Sequence, residues 1–146
     1  MNKQILALAL GLAGSALLAA PAVAEMERVA APEGAEVYFL SPEEGATLSG
    51  PVTVRMGLRG MGVAPAGTQA EGTGHHHLLV DTPLDEVDLD QPLPANDGMR
   101  HFGGGQTETM LELEPGEHEL QLLFMDHRHV SFDPPVTSEV ITITVE

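Results

Sequence analysis

After residue 24, no stretch of this sequence carries the 3.6-residue apolar period of an amphipathic helix. Short period-two stretches recur instead, cut apart by Pro and Gly. Val52, Val54, Met56 and Leu58 alternate with Thr53, Arg55 and Gly57, the pattern of a strand with one face buried. Leu111 and Leu113 alternate with Met110 and Glu112. After Pro115-Gly116, Leu120, Leu122 and Phe124 alternate with Glu119 and Gln121, so residues 110–124 predict a β-hairpin. Ile141, Ile143 and Val145 alternate with Val140, Thr142 and Thr144 as a closing strand. Residues 37–40 and 75–81 add two further extended segments, and residues 60–74, 82–98 and 126–135 read as loops. Six to seven short strands of this kind predict an all-β protein, an immunoglobulin-like antiparallel β-sandwich. A chain of 146 residues has room for one such domain. It contains no cysteine, so packing and not disulfides must hold it.

The first residues read as an address. Lys3 supplies a positive start, residues 5–18 are apolar apart from Gly and Ser, and Ala22-Val23-Ala24 is a small-residue cleavage pattern. Residues 1–24 are therefore expected to be a secretory signal peptide cut between Ala24 and Glu25. A flexible lead-in over 25–36 and the sandwich over 37–146 are expected to follow. The apolar run is short for a membrane span, so export to the periplasm without membrane insertion after cleavage is expected.

Charge and composition exclude several functions. The chain has 22 acidic residues against 6 Lys+Arg, a formal net charge of -16, which offers no basic footprint for nucleic acid. Aromatic residues make up 3% and there is no Trp, so a base-stacking platform is not available. Lys3 is the sole lysine, which excludes a phosphate-binding G-x-x-x-x-G-K loop beyond the leader. Gly103-Gly104-Gly105 lacks dinucleotide-loop spacing, no G-x-S-x-G elbow occurs, and His118-Glu119 has no second His at zincin spacing. Asp85, Glu86, Asp88, Asp90 and Asp97 do not match a calcium loop, which requires Gly at its sixth position. They read as a solvated acidic loop.

Histidine is the unusual residue, with 7 in the chain. On a strand, alternate side chains share a face, so His75 and His77 point together, about 6.5–7 Å apart along the strand, and can lean toward one ion. His76 points the other way with Leu78 and Val80 and is expected to be a core-facing, hydrogen-bonded histidine. Two imidazoles do not complete a site, since zinc takes three or four protein ligands. His101, before the triple glycine, and His129, before the last strands, are placed to supply the rest. Met61 and Met99 are loop methionines, and a thioether joining the set would favour Cu(I) over zinc. The competing reading makes the histidines an internal hydrogen-bond network, held by carbonyls or by Asp81 and Asp126.

Three groups of residues then carry a resemblance. They are Gly74-His75-His76-His77-Leu78-Leu79-Val80-Asp81, His101-Phe102-Gly103-Gly104-Gly105-Gln106-Thr107-Glu108, and residues 113–123 around Pro115-Gly116. With residues 60–67 and Pro134-Pro135-Val136, they resemble the bacterial family named domain of unknown function 4399 (DUF4399), over about residues 38–146. The resemblance implies an exported single-domain β protein. It also implies a second histidine shortly after His129. Here that position is Phe132, which shifts the ligand set toward His75, His77 and His101. Gln106 and Glu108 belong to the same motif, and Gln106 can fix an imidazole or a bound group.

Three functions compete at this point. The first is a non-enzymatic metal-binding protein for copper or zinc using His75, His77, His101 and His129, with Met61 and Gln106 accessory. The second is a structural or interaction module, in which the histidines cement loops for a protein partner. The third is an enzyme with an open histidine-metal site and Glu108 as base; no motif names its reaction.

Overall fold

The computed structural model describes residue 22 and residues 24–146. The expected signal peptide and its cleavage motif lie outside the described residues, apart from Ala22 and Ala24. Ten strands form: β1 (Glu36–Ser41), β2 (Thr47–Leu48), β3 (Val52–Arg59), β4 (Gly62–Val63), β5 (Thr73–Val80), β6 (Met99–His101), β7 (Glu108–Leu111), β8 (Gly116–Met125), β9 (Ser131–Thr137) and β10 (Ile141–Val145). Three of them, β2, β4 and β6, are only two or three residues long. Apart from β9, the longer strands are those the sequence marks as extended. The short ones are brief pairings within loops, invisible to a periodicity argument.

The strands make two sheets. The smaller runs β1-β3-β7, and the larger runs β2-β10-β8-β5-β4, with β6 added beside β5 and β9 beside β8. The long pairings are antiparallel, whereas β2–β10 and β4–β5 are short parallel ones. Val37, Val52, Val54, Met56 and Leu111 of the small sheet bury against Leu78, Val80, Leu120, Leu122, Phe124, Ile143 and Val145 of the large one. The fold is an all-β sandwich, closed by the inward halves of the alternating segments.

The hairpin expectation is corrected. β7 pairs with β3, whereas β8 pairs with β10 and β5, so Pro115-Gly116 lies on a crossing between sheets. Alternation says that one face is buried. It does not say whether the next strand lies beside the first or opposite it. Leu111 and Leu120 meet the same core from opposite sheets. The loop expected over 126–135 is also shorter, because β9 begins at Ser131 and runs through Pro134 and Pro135. Its ladder with β8 is irregular near Phe124 and Met125, and β9 is an edge, where missing proline N–H groups are tolerated.

The outer face of the large sheet is also dry at one end. Leu79, Leu123 and Met125 point away from the core cluster and are at most 1% exposed. Residues 82–98 close against this side: the Gly98 carbonyl accepts from Val80 N–H (2.9 Å), and Leu93 N–H donates to the His129 carbonyl (3.1 Å). Residues 26–31 are tied on as well. Met26 N–H donates to the Asp90 carbonyl (3.1 Å), Arg28 pairs with Asp90 (3.0 Å), and Ala31 N–H donates to the Asp133 carbonyl (2.9 Å).

Candidate metal centre

β5 and β8 are both buried on two faces, which is what places imidazoles in a dry layer. His76, Leu78 and Val80 face the inter-sheet core, and His75, His77 and Leu79 face outward. β6 pairs antiparallel with β5 so that His101 lies directly opposite His77, on the same face. Gly103 permits this, since a Cβ at that position would overlap Cε1 and Nε2 of the His101 ring.

His129 arrives from the turn between β8 and β9. Its φ is +66°, a left-handed conformation that non-glycine residues seldom adopt. The buried carboxylate of Asp126 holds that turn. Asp126 Oδ1 accepts from Arg128 N–H (2.7 Å) and Val130 N–H (3.1 Å), and Oδ2 accepts from Arg128 Nε (2.9 Å) and Nη2 (2.6 Å). Arg128 Nη2 also donates to the Glu27 carbonyl (2.9 Å), anchoring the turn to the N-terminal segment.

The result is a convergence of four rings. Centroids lie 4.8 Å apart for His75 and His77, 5.1 Å for His75 and His101, and 5.1 Å for His77 and His101. His129 lies 4.9 Å from His75, 5.9 Å from His77 and 4.6 Å from His101. His101 and His129 share a hydrogen bond between their Nε2 atoms at 2.9 Å. Ligand atoms of His75, His77 and His101 all lie within 4.8 Å of one another, so this trio could hold a metal ion.

Electrostatics keep the rings in their ligating form. Burial pushes the His75 pKa down to about 4, helped by His129 and His101 and opposed by Asp126. Burial and then the neighbouring histidines push His77 down to about 2. The opposing His75 backbone contact is too poor in geometry to be a hydrogen bond. His101 is lowered by burial and by His129. Neutral imidazole carries the free lone pair a metal needs. Both ring nitrogens of His75 and His77 are buried without any hydrogen-bond partner among the described residues.

Beyond its geometry, the chain can be placed by its sequence. The profile of a family described as "Domain of unknown function (DUF4399)" matches residues 54–146. This chain belongs to that family. No curated protein and no solved structure matches it. The matched part of this DUF4399 chain contains all four converging histidines together with Asp126 and Gly103.

Met99 lies in β6 opposite Leu79, on the same sheet face as His77 and His101, and the other residues singled out from the sequence lie elsewhere. Met61 is partly buried and packs against the hydrophobic core. Gln106 turns its amide oxygen to Gly104 N–H at 2.9 Å and shapes the glycine loop. Phe132 is a core residue, stacked on Phe124 with ring centroids 6.3 Å apart. Glu108 pairs with Arg55 at 2.8 Å on the small sheet, across the sandwich from the cluster's face. His76 faces the core as expected but is not hydrogen-bonded; it meets the Phe124 ring edge-on at 5.0 Å, and burial lowers its pKa to about 4. Asp126 is the functional residue that sequence reasoning undervalued. Its spacing from Arg128 and Val130 gives the signature of a side chain capping its own turn.

Proposed function

We propose that this protein is an exported, non-enzymatic metal-binding domain. It would hold copper or zinc on His75, His77 and His101, with His129 as the fourth ring. One observation carries the reading: among the described residues, the four ring nitrogens of His75 and His77 are buried and unpartnered. Each such group costs about 1–3 kcal/mol when nothing satisfies it. A cation coordinated by the cluster takes one nitrogen from each ring and turns that part of the cost into binding energy, and imidazole suits copper and zinc.

Export and a periplasmic location belong to the proposal. They rest on the pattern of residues 1–24. Two experiments test the reading. Calorimetric titration of the chain from Glu25 onward with Zn(II) and Cu(II) should give stoichiometric binding that His75→Ala/His77→Ala abolishes. Fractionation of cells expressing the full chain should recover protein beginning at Glu25 in the periplasm. Unchanged binding by the double variant overturns the site. Retention in the cytoplasm overturns the export.

The hydrogen-bond-network alternative is favoured at one place only. His118 donates through Nδ1 to Asp81 at 2.7 Å and through Nε2 to the Glu114 carbonyl at 2.8 Å. That histidine ties loops together in the structural sense, away from the cluster.

A further inference from the structure

We propose that Met125 is a thioether ligand of the histidine site, and that the site is built for Cu(I) in preference to Zn(II). The inference deepens the metal-binding reading and rests on it.

Met125 is the cross-strand partner of His75 in the β5–β8 ladder. Side chains of directly paired residues share a face, with Cβ atoms about 4.5–5.5 Å apart. Met125 therefore stands on the outer face of the large sheet beside the cluster. It is 0% exposed and lies outside the inter-sheet hydrophobic core. The next row of that face pairs Leu123 with His77 and His77 with His101. Two adjacent rows thus bring three imidazoles and one thioether to a single dry layer. A methionine side chain is unbranched and has three rotatable bonds, so it can turn its sulfur toward an ion without moving the strand.

Charge points the same way. All the donors are neutral, and the carboxylate that holds the His129 turn, Asp126, is engaged by the Arg128 guanidinium at 2.6 and 2.9 Å. No cysteine exists to add a thiolate. Burying a monovalent ion among neutral ligands costs less than burying a divalent one. A thioether is a soft donor that selects Cu(I).

The test compares the wild-type chain from Glu25 onward with Met125→Leu. Leucine keeps the volume and the apolar character, and such swaps usually cost less than about 1.5 kcal/mol. Cu(I) affinity is measured by competition with a chromophoric chelator in the absence of oxygen, and Zn(II) affinity by calorimetry. X-ray absorption of the Cu(I)-loaded protein reports a sulfur neighbour directly. The expected result is Cu(I) binding weakened by about tenfold, equivalent to ~1.4 kcal/mol, with Zn(II) affinity changed by less than about twofold. The sulfur signal should be present in wild type and missing from the variant. Equal Cu(I) affinities, or a wild-type copper shell of nitrogen alone, overturn the role of Met125 and leave the histidine site standing. A wild-type protein that binds neither metal overturns both. Should the variant fail to fold, Met99→Leu decides: a sulfur signal kept in that protein assigns it to Met125, and a signal lost there overturns the role of Met125.

Discussion

His77 and His118 are the same residue in opposite circumstances. His118 presents both ring nitrogens to oxygen acceptors, Asp81 Oδ2 and the Glu114 carbonyl, so both must carry hydrogen and the imidazolium is favoured. Its pKa is raised, first by the Glu114 carbonyl and then by Asp81. His77 presents both nitrogens to no acceptor of adequate geometry, sits among other histidines in a dry layer, and is pushed down to about 2. One ring is satisfied by the protein and has nothing left to bind. The other has no hydrogen-bond partner among the described residues and belongs to a trio that could hold a metal ion. Counting histidines does not separate these cases; the atoms facing each ring do.

The largest expected effect falls on metal binding. His75→Ala/His77→Ala should reduce affinity by more than the 10–100-fold typical of losing an outer-shell partner. His118→Ala should leave the calorimetric trace unchanged. Equal losses in the two proteins would mean that no distinction exists between the regions. Asp126→Ala comes next. It frees the turn that presents His129, and the affinity should fall by about 10–100-fold in the same titration.

Acid stability then separates the two regions by sign. His75, His77 and His101 have folded-state values below the unfolded value of about 6.5. The unfolded chain therefore takes up protons first, and metal-free stability is lost as pH falls from about 6.5 toward the about 4 of His75. His118 behaves in the reverse way. Its contribution is fully present below about 6.5 and is lost as pH rises through its raised folded value. Thermal unfolding in chelator at a series of pH values checks both. His77→Leu should flatten the acid limb, and His118→Ala should flatten the alkaline one.

The smallest effects concern stability at neutral pH. His77→Leu replaces an unsatisfied ring with an apolar side chain and should leave the metal-free melting temperature equal or higher while binding is lost. His118→Ala should cost about 1 kcal/mol, the net worth of an ordinary hydrogen bond. Chemical denaturation of the two metal-free variants would show whether the difference has this sign.

Much of the architecture was legible because burial in a sandwich follows the side-chain period of two. The inward positions of β3, β8 and β10 are the apolar halves of their alternating segments, and His75 and His77 share a face for the same reason. The sheet assignment of β7 and β8 was not legible, since a strand buries the same face against a neighbour beside it or opposite it. Met61 and Met99 were the visible methionine candidates because they sit near the histidines in loops. Met125 was hidden in an apolar run, and only the β5–β8 register sets it next to His75.

What the chain determines by local rules is therefore the longer strands other than β9, and the pairing of His75 with His77 on one side of β5. Local rules suffice because pleat and hydrophobicity act between near neighbours. The meeting of those two rings with His101 and His129 was decided by the tertiary structure alone. It depends on the β5–β6 register, on a glycine that yields space to one ring, and on a carboxylate-held turn that forces another into a left-handed backbone. Those are contacts between residues distant in sequence, whose energies no local pattern encodes.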